Sequence, residues 1–500
     1  MKIAGLDVGT TGCKCTVFDE NGKYLGKAYR DYPSTRGIGG HEINVAVIME
    51  AVYSAIREMA DKYPDIAGIG VTSFGETFVL TDAEGTPLHT AMLYTDPRGA
   101  EECAELTEKL GARHIASVTG LRPHEMYSIA KMMWLKRHRP EVYREAKHAF
   151  LMASYVVFHL TGQTVIDYSL ASRTMAFDIQ QLDWSREMFD TAEIDMSLMP
   201  TVVPTGTKAG CLTKAAAEKT ALAASTAVVI ISHDQVSAAV GAGAFNGETA
   251  VDGAGTVECL TPVYDSLPAV DAMFDGYFSA VPYVVPGSYV AYAFQYTGGA
   301  LIQWCTDTFA AKEKEAAEKA GITVNEYFEK EYAARHGREP SGLLVLPHFA
   351  GAATPYMDTG SKGAILGLTS DTSLPEIYYA CLEGVAYELY LNYSRLEKSG
   401  IHFTRLNATG GGAHSKVWMQ MKADMLNLPI TALKTVDAGT VGSAMLTGIA
   451  TGLFKDLKDA AAKMVEETVT YTPDREIHEK YMAIYSRYEK LYDAVRPLVS

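Results

Sequence analysis

Asp7 is the first residue in the chain whose type and surroundings could do chemistry. It lies near the end of an apolar run and is followed, after one valine, by a glycine and by Thr10 and Thr11. Such a turn offers backbone N–H groups and two hydroxyls to phosphate oxygens, and it offers one carboxylate to a hydrated metal ion. On its own the loop could equally be a hairpin that contains an aspartate. A second carboxylate in a similar setting favours the chemical interpretation.

Asp234 is that second carboxylate. It follows the β-branched segment 227–232, which predicts a strand buried on both faces, and it precedes a small-residue helix predicted over 236–244. An aspartate has an ordinary pKa of about 3.9, so it is ionised near neutral pH and can accept the proton of a hydroxyl that attacks phosphorus. The alternative role is to cap the helix that follows. Because Asp7 is available to share a cation, we predict that Asp234 is a general base and that both carboxylates hold Mg²⁺.

The elements that must position these groups are strands that end in turns rich in glycine and threonine. Four such turns lie at residues 9–11, 255–256, 298–299 and 410–412. The segment 251–265 also repeats the pattern of residues 6–19, in which an aspartate, a glycine and a threonine precede an apolar strand and an acidic turn. This repeat indicates a duplicated unit that faces its copy across a cleft. Because P-loop and dinucleotide-binding motifs are absent from the sequence, we predict a nucleotide held between two domains, residues 1–246 and 247–500.

The composition is that of a globular protein, with 48% hydrophobic and 21% charged residues. The length favours two domains, and a formal net charge of −16 argues against nucleic acid as a partner. The sequence has neither an apolar run of membrane-spanning length nor a signal-peptide pattern, so we predict no membrane contact. Seven scattered cysteines fit a reducing cytoplasm. The oligomeric state stays open, and a homodimer is one option.

Three polar residues near the ends of predicted strands are candidates for binding a hydroxylated substrate. Glu76 follows one predicted strand, and Tyr94 and Asp96 lie at and after the end of the next. In an α/β protein, ligands bind at the carboxyl ends of the strands, where these side chains would lie. For any one of them, a solvated loop position is an equal alternative. The helical segment 126–135 carries Lys131, which we expect on a face other than the one that enters the core.

Several motifs together resemble those of the FGGY family of carbohydrate kinases, over essentially the whole chain. Residues 6–11 resemble the family's first phosphate loop, and residues 126–135 resemble its first signature. The segment 363–368 resembles the second signature, and residues 410–420 are similar to the adenosine-binding turn and helix. The combination is specific, although no single motif is.

The resemblance implies an α/β fold of two actin-like (ribonuclease H-like) ATPase domains with a cleft between them. The sugar would lie in the first domain and ATP mainly on the second, with Mg²⁺ as the further cofactor. By position in the motifs, Asp234 would be the base, Asp7 would help to hold Mg²⁺, and Gln235 would contact the substrate. The residues that the resemblance assigns to the nucleotide are Thr10, Thr11, Lys14, Thr256, Gly299, Gln303, Gly411, Gly412 and Ala413.

The identity of the sugar is less determined by the sequence. Where this chain has Gly75 and Glu76, xylulokinases carry Met-His and glycerol kinases carry Arg-Glu, and a tryptophan common after the next strand is Tyr94 here. Residues 233–235 resemble the sequence around the base of several pentulose and polyol kinases. We therefore predict ATP-dependent phosphorylation of a hydroxyl of a small sugar or polyol, with a pentulose such as xylulose as the first candidate.

Three alternatives stay open. The first is a glycerol, tetritol or hexulose kinase of the same family. The second is another ATPase of the same two-domain fold, which would release phosphate from ATP without any added sugar. The third is a non-catalytic sugar-sensing protein with an actin-like fold, and the presence of both Asp7 and Asp234 argues against it.

Overall fold

Two mixed β-sheets with helices packed against them form the framework of the protein. The computed structural model describes residues 1–37, 39–267, 269–434 and 437–499. None of the helices in these ranges is both long enough and apolar enough to span a membrane.

The secondary-structure elements follow one another along the whole described chain. The strands are β1 (Lys2–Val8), β2 (Gly12–Phe18), β3 (Tyr24–Asp31), β4 (Ser34–Gly37), β5 (Gly40–Ile43), β6 (Ile66–Ser73), β7 (Phe78–Thr81), β8 (Ala91–Met92), β9 (His148–Leu151), β10 (Val165–Asp167), β11 (Phe177–Asp178), β12 (Asp183–Trp184), β13 (Thr201–Val203), β14 (Thr207–Cys211), β15 (Ala227–His233), β16 (Thr249–Ala254), β17 (Glu258–Tyr264), β18 (Val281–Pro282), β19 (Tyr289–Val290), β20 (Ala293–Gln295), β21 (Leu344–Leu346), β22 (Ala364–Leu366), β23 (Arg405–Thr409), β24 (Ile430–Leu433) and β25 (Glu467–Tyr471). The α-helices are α1 (Val45–Lys62), α2 (Ala100–Leu110), α3 (Ala112–Thr119), α4 (Ser128–His138), α5 (Pro140–Glu145), α6 (Met152–Thr161), α7 (Tyr168–Ser172), α8 (Arg186–Ala192), α9 (Lys214–Thr220), α10 (Asp234–Gly241), α11 (Val270–Asp275), α12 (Gly299–Phe309), α13 (Ala311–Ala320), α14 (Val324–His336), α15 (Leu374–Lys398), α16 (Lys416–Leu426), α17 (Ala438–Ala450), α18 (Leu457–Met464), α19 (Arg475–Tyr488) and α20 (Leu491–Val499). Two 3₁₀-helices span Met196–Leu198 and Gly411–His414.

The first sheet has the strand order β14-β15-β6-β1-β2-β3. In this sheet β1 runs parallel to β6, and β6 runs parallel to β15, whereas β2 returns antiparallel beside β1. The predicted strand 227–232 is β15, and every one of its residues is buried, as its β-branched sequence indicates. The three parallel strands therefore end at one edge of the sheet, which carries Asp7 and Asp234.

The second sheet repeats this arrangement. Its order is β18-β19-β17-β16-β23-β24-β25, with β20 also paired to β17. The hairpin of β16 and β17 corresponds to that of β1 and β2, and β16, β23 and β24 are parallel, like β1, β6 and β15. The segments 6–19 and 251–265, whose sequences repeat, thus form equivalent hairpins. The predicted domain boundary after residue 246 falls between α10 and β16 and stays a prediction.

A close contact between α10 and α17 joins the two sheets. A Cβ atom added to Gly241 would lie 1.9 Å from the carbonyl oxygen of Ala438. One added to Gly442 would lie 1.9 Å from the carbonyl oxygen of Ser237. Because glycine has no side chain, the two helix backbones approach to a distance that any other residue would prevent. α17 also packs on β1 and β6, so a helix that connects two strands of the second sheet lies directly on the first.

Lys131, in α4, is fully buried, so the prediction that it lies away from the core is wrong. Its ammonium group donates to the carbonyl oxygen of Asp96 at 2.6 Å and to that of Arg98 at 3.2 Å. Burial lowers the pKa of Lys131 to about 8. A buried charge needs hydrogen-bond partners, and the backbone before α2 supplies them.

Candidate active site

Asp7 and Asp234 lie at the same edge of the first sheet. Asp7 pairs with Thr72 across β1 and β6, and His233, which precedes Asp234, pairs with Ser73 across β6 and β15. A single strand therefore separates the two aspartates, which places their backbones on the order of 10 Å apart. The negative charge of Asp7 contributes to the raised pKa of Asp234. The structure thus brings the two carboxylates into one electrostatic environment.

Asp234 is in a setting that disfavours its charged form. Burial raises the pKa of this carboxyl to about 8, and the charges of Asp7 and Glu76 add to the shift, against the lowering effects of the Gln235 N–H and of Arg173. Its Oδ1 atom is buried and makes no hydrogen bond, although Nε2 of His233 lies 3.2 Å away. His233, and not Asp234, takes the N-cap position of α10. Asp234 therefore does not cap α10, and the alternative interpretation of this residue is wrong.

His233 packs beside Asp234 as a neutral ring. Its Nδ1 atom lies 3.2 Å from the hydroxyl of Tyr292. Burial lowers the pKa of His233 well below its ordinary value, and the nearby charge of Arg173 lowers it further. A neutral imidazole leaves the charge of an ionised Asp234 uncompensated on that side, which is consistent with the raised pKa of the carboxyl.

Lys14 lies between two carboxylates. It faces Asp7 across the β1–β2 hairpin, with its Nζ atom 3.5 Å from Oδ2 of Asp7 and 3.2 Å from Oδ1 of Asp437. Burial raises the pKa of Asp7, Lys14 lowers it and Asp437 raises it. Sequence reasoning missed Asp437. The available signal was its place directly before the small-residue helix α17, which resembles the place of Asp234 at the start of the small-residue helix α10.

Glu76 is buried in an ion pair that sequence reasoning also missed. Arg173 donates from Nε to Oε1 of Glu76 at 2.7 Å, and both side chains are less than a tenth exposed. The backbone of Glu76 has φ of +61°, a region that residues other than glycine rarely adopt. The hydroxyl of Ser128 donates to the carbonyl oxygen of Glu76 at 2.6 Å and holds this turn. The carboxylate of Glu76 is thus fixed near Asp234 rather than solvated.

The other candidates for substrate binding differ in their surroundings. Tyr94 is 40% exposed, and its pKa is raised by partial burial and by the charges of Glu76 and Asp234. Gln235 is half-buried beside Asp234. The carboxylate of Asp96 accepts from the backbone N–H of His41 at 2.8 Å and from Nε of Arg98 at 2.8 Å. These bonds indicate that Asp96 holds its loop in place.

The predicted nucleotide loops of the second sheet converge on the end of β16. The N–H of Gly299, at the start of α12, donates to the carbonyl oxygen of Gly255 at 2.9 Å, and that of Ala300 donates to Thr256 at 3.1 Å. Gly410 has φ of +92°, and a Cβ atom there would lie 2.6 Å from the carbonyl oxygen of Ala254. The turn before α12 and the turn after β23 are therefore both fixed against the β16–β17 hairpin.

The individual nucleotide candidates lie on or near these loops. A Cβ atom on Gly411 would meet nothing within 4 Å, whereas one on Gly412 would lie 2.9 Å from Trp418 Cζ3. Ala413 is buried, and Gln303 on α12 donates from Nε2 to Asp307 at 2.8 Å. In the first hairpin, Thr10 is half-buried and Thr11 is exposed.

The donor set at the sheet edge fits a magnesium ion held mainly by phosphate and water. Within the described ranges, no group of three or more histidine, cysteine, aspartate and glutamate side chains is arranged to hold a metal ion. Magnesium commonly binds one or two carboxylates together with substrate phosphates and water. Asp7 and Asp234, with the unbonded Oδ1 of Asp234, are sufficient for that mode.

Comparison with known proteins assigns the family. The model of the N-terminal domain of the FGGY family of carbohydrate kinases matches residues 2–241, and that of the C-terminal domain matches residues 254–451. The chain belongs to the FGGY family of carbohydrate kinases. This FGGY kinase is therefore a phosphotransferase, as predicted, and ATP fits as the phosphoryl donor of such an enzyme.

The relatives of this FGGY kinase act on different substrates. It is 26% identical over 506 residues to the xylulose kinase of Bacillus subtilis, with 99% of this chain and 97% of the relative covered. It is 30% identical over 479 residues to the glycerol kinase of Enterococcus faecalis, with 92% of this chain and 91% of the relative covered. Among solved structures, the gluconate kinase from Lactobacillus acidophilus superposes with a TM-score of 0.89 at 24% identity, with 99% and 98% covered. The predicted α/β fold of two actin-like domains is confirmed by this likeness.

Proposed function

We propose that this FGGY kinase transfers the terminal phosphoryl group of ATP to a hydroxyl of a small sugar or polyol, with a pentulose such as xylulose as the first candidate. The observation that supports the site is the buried Oδ1 of Asp234, which makes no hydrogen bond and lies at the sheet edge shared with Asp7. A substrate hydroxyl there would satisfy this oxygen. The reaction is proposed to occur in the cytoplasm, where the seven free cysteines stay reduced.

In this proposal Asp234 accepts the proton of the attacking hydroxyl. A general base works best when its pKa is near the operating pH, and burial holds the pKa of Asp234 at about 8. Asp7 and Asp234 would hold Mg²⁺, which when bound neutralises phosphate charge and lowers the pKa of a carboxylate beside it. Glu76 would accept hydrogen bonds from the other hydroxyls of the substrate, and Tyr94 would donate hydrogen bonds to them. Asp96 and Gln235 would support this wall of the site.

ATP would lie with its phosphates between the two hairpins. Thr10, Thr11 and Lys14 would contact the phosphates from the first sheet, and Thr256 would contact them from the second. The remaining nucleotide contacts are proposed for Gly299, Gln303, Gly411, Gly412 and Ala413. Because the two hairpins belong to different sheets, approach of the sheets on binding would exclude water from the phosphates and limit ATP hydrolysis.

The test is a panel assay of ADP formation with Mg²⁺ and one acceptor at a time: D-xylulose, D-ribulose, D-fructose, glycerol, erythritol and D-gluconate. We expect a ketopentose to give the highest kcat/KM and ADP formation to need an added acceptor. Glycerol or a tetritol is the second candidate, because Glu76 matches the glutamate of the Arg-Glu pair of glycerol kinases. Phosphate release at the same rate without any acceptor would contradict the proposal.

A further inference from the structure

We propose that Arg173 forms a subsite that binds an uncharged oxygen, a hydroxyl or a carbonyl, at the end of the substrate remote from the reacting hydroxyl. This rests on the proposed function, since it takes the reacting hydroxyl to lie at Asp234. The subsite makes Arg173 a specificity-determining residue that the sequence motifs did not indicate.

The guanidinium of Arg173 is held rigidly and has one nitrogen free. Its Nε atom donates to Glu76, and its plane lies near the rings of Tyr127 and Tyr292, 5.2 and 5.6 Å from their centroids. The residue is only 5% exposed, yet Nη1 is buried without any hydrogen-bond partner. A buried unpaired donor is costly, so an oxygen that accepts from Nη1 gains affinity.

A small cavity is lined in part by the side chain of Arg173. It has a volume of about 50 Å³ and is lined by Arg173, Tyr127, Tyr292 and Ser279, among others. The hydroxyl of Ser279 is also buried without a partner. The cavity has room for a terminal hydroxyl or carbonyl group of a substrate. Two residues that each carry an unpartnered polar atom, one before and one after the predicted domain boundary, thus line one space.

Gly75 makes room for this arginine. A Cβ atom on Gly75 would lie 2.9 Å from Cγ of Arg173 and 3.0 Å from Cδ2 of His233. Any larger residue at position 75 would displace the arginine or the histidine. The position at which glycerol kinases carry an arginine is thus empty of side chain here, and an arginine from 98 positions later in the chain occupies the space instead.

The charges around Arg173 favour an uncharged partner. The carboxylate of Glu76 already neutralises the guanidinium, with both side chains less than a tenth exposed. Asp234 and Asp7 add negative charge on the side of the reacting hydroxyl. A substrate carboxylate would add a further negative charge beside these carboxylates, with Arg122 as another cation that lines the cavity, whereas a hydroxyl or a carbonyl would accept from Nη1 without adding charge.

The test compares D-xylulose with 1-deoxy-D-xylulose, which lacks the hydroxyl at the remote end, in the wild type, Arg173→Lys and Ser279→Ala. Lysine keeps a positive charge beside Glu76 but has no Nη1. We expect the wild type to prefer D-xylulose by tenfold or more in kcat/KM, and Arg173→Lys to lose that preference because its kcat/KM falls more for D-xylulose than for the deoxy sugar. Ser279→Ala should reduce the preference by a smaller factor. Arg144→Lys, on exposed α5, is the matched control, and melting temperatures check folding.

Three results would overturn the inference. One is an equal loss for both sugars in Arg173→Lys, which would mean a structural role only. Another is an unchanged preference in Arg173→Lys. The last is a wild-type preference for D-gluconate that Arg173→Lys abolishes, which would mean recognition of a carboxylate. Calorimetric binding of both sugars without ATP separates this inference from the proposed function: binding that follows the expected pattern without any turnover would contradict the proposed function alone.

Discussion

Lys14 and Asp437 form an ion pair with an N–O distance of 3.2 Å, although 423 positions separate them in the chain. The pair ties the first hairpin to the start of α17, the helix that packs on α10 and β1. Lys14 also lies 3.5 Å from Asp7. The charges of Lys14 and Asp437 therefore both act on Asp7 at the proposed magnesium site.

Substitutions of Lys14 and of Asp437 should change the apparent affinity for Mg²⁺ in opposite directions. Lys14 lowers and Asp437 raises the pKa of Asp7. We expect Lys14→Met to lower the Mg²⁺ concentration for half-maximal activity, because loss of a positive charge beside Asp7 favours a bound cation, and Asp437→Asn to raise it by a few-fold, because a nearby negative charge is lost. Magnesium titrations at fixed ATP and sugar measure both. An increase of about a hundredfold or more in Asp437→Asn would instead indicate that Asp437 is itself a ligand.

Replacement of the proposed base should separate binding from turnover. We expect Asp234→Asn to lower kcat by a factor on the order of 10²–10⁴ or more, because the amide cannot accept the proton, while the Kd for ATP changes less than about threefold. Single-turnover kinetics and calorimetry measure the two quantities. Asp195→Asn, at an exposed cap of a 3₁₀-helix, is the matched control. A variant at position 234 that retains most of its kcat would remove this residue as the base.

The activity should depend on pH through Asp234. A base works only when deprotonated, so activity is present above its pKa and is lost as the pH falls through it. With its pKa raised to about 8 by burial and by Asp7 and Glu76, we expect kcat/KM for the sugar at limiting Mg²⁺ to rise up to about pH 8.

Removal of a neighbouring charge tests the cause of that shift. Because the charge of Glu76 contributes to the raised pKa of Asp234, Glu76→Gln should move the rising limb of the pH profile to lower pH. Saturating Mg²⁺ should move the limb in the same direction in the wild type. An unchanged limb in Glu76→Gln, measured with kcat/KM against pH, would show that a group other than Asp234 titrates.

A buried charge cluster should stabilise the second sheet. Lys422 on α16 donates to Oδ2 of Asp252 at 2.8 Å and to Glu258, and all three side chains have no solvent exposure. Lys422→Met leaves buried carboxylates without a cation, so we expect a loss of about 3–5 kcal/mol in the free energy of unfolding.

Glu258→Gln is the matched control for Lys422→Met. Burial and the charge of Asp252 raise the pKa of Glu258 well above its ordinary value, whereas Lys422 lowers it. The amide should cost much less than loss of the lysine, because it leaves Lys422 paired with Asp252. Denaturant unfolding of the two variants measures the difference, and equal losses would contradict this account of the cluster.

The sequence by itself determined the local elements and the residues that end them. The near-continuous β-branched run 227–232 specified β15. The repeated turns specified two equivalent hairpins, because side-chain periodicity and turn composition act over a few residues. Asp7 and Asp234 could be selected for the same reason, since each lies near the end of an apolar strand.

Only the tertiary structure decided which buried charges meet. Periodicity identified α4 as a core helix but not the carbonyl groups that allow Lys131 to enter the core. The pairing of Glu76 with Arg173, across 97 positions, depends on the space left at Gly75, and that of Lys14 with Asp437 depends on how α17 lies on β1. A hydrophobic pattern specifies which face of an element is buried, whereas the partner of a buried charge is set by elements that only the folded chain brings together.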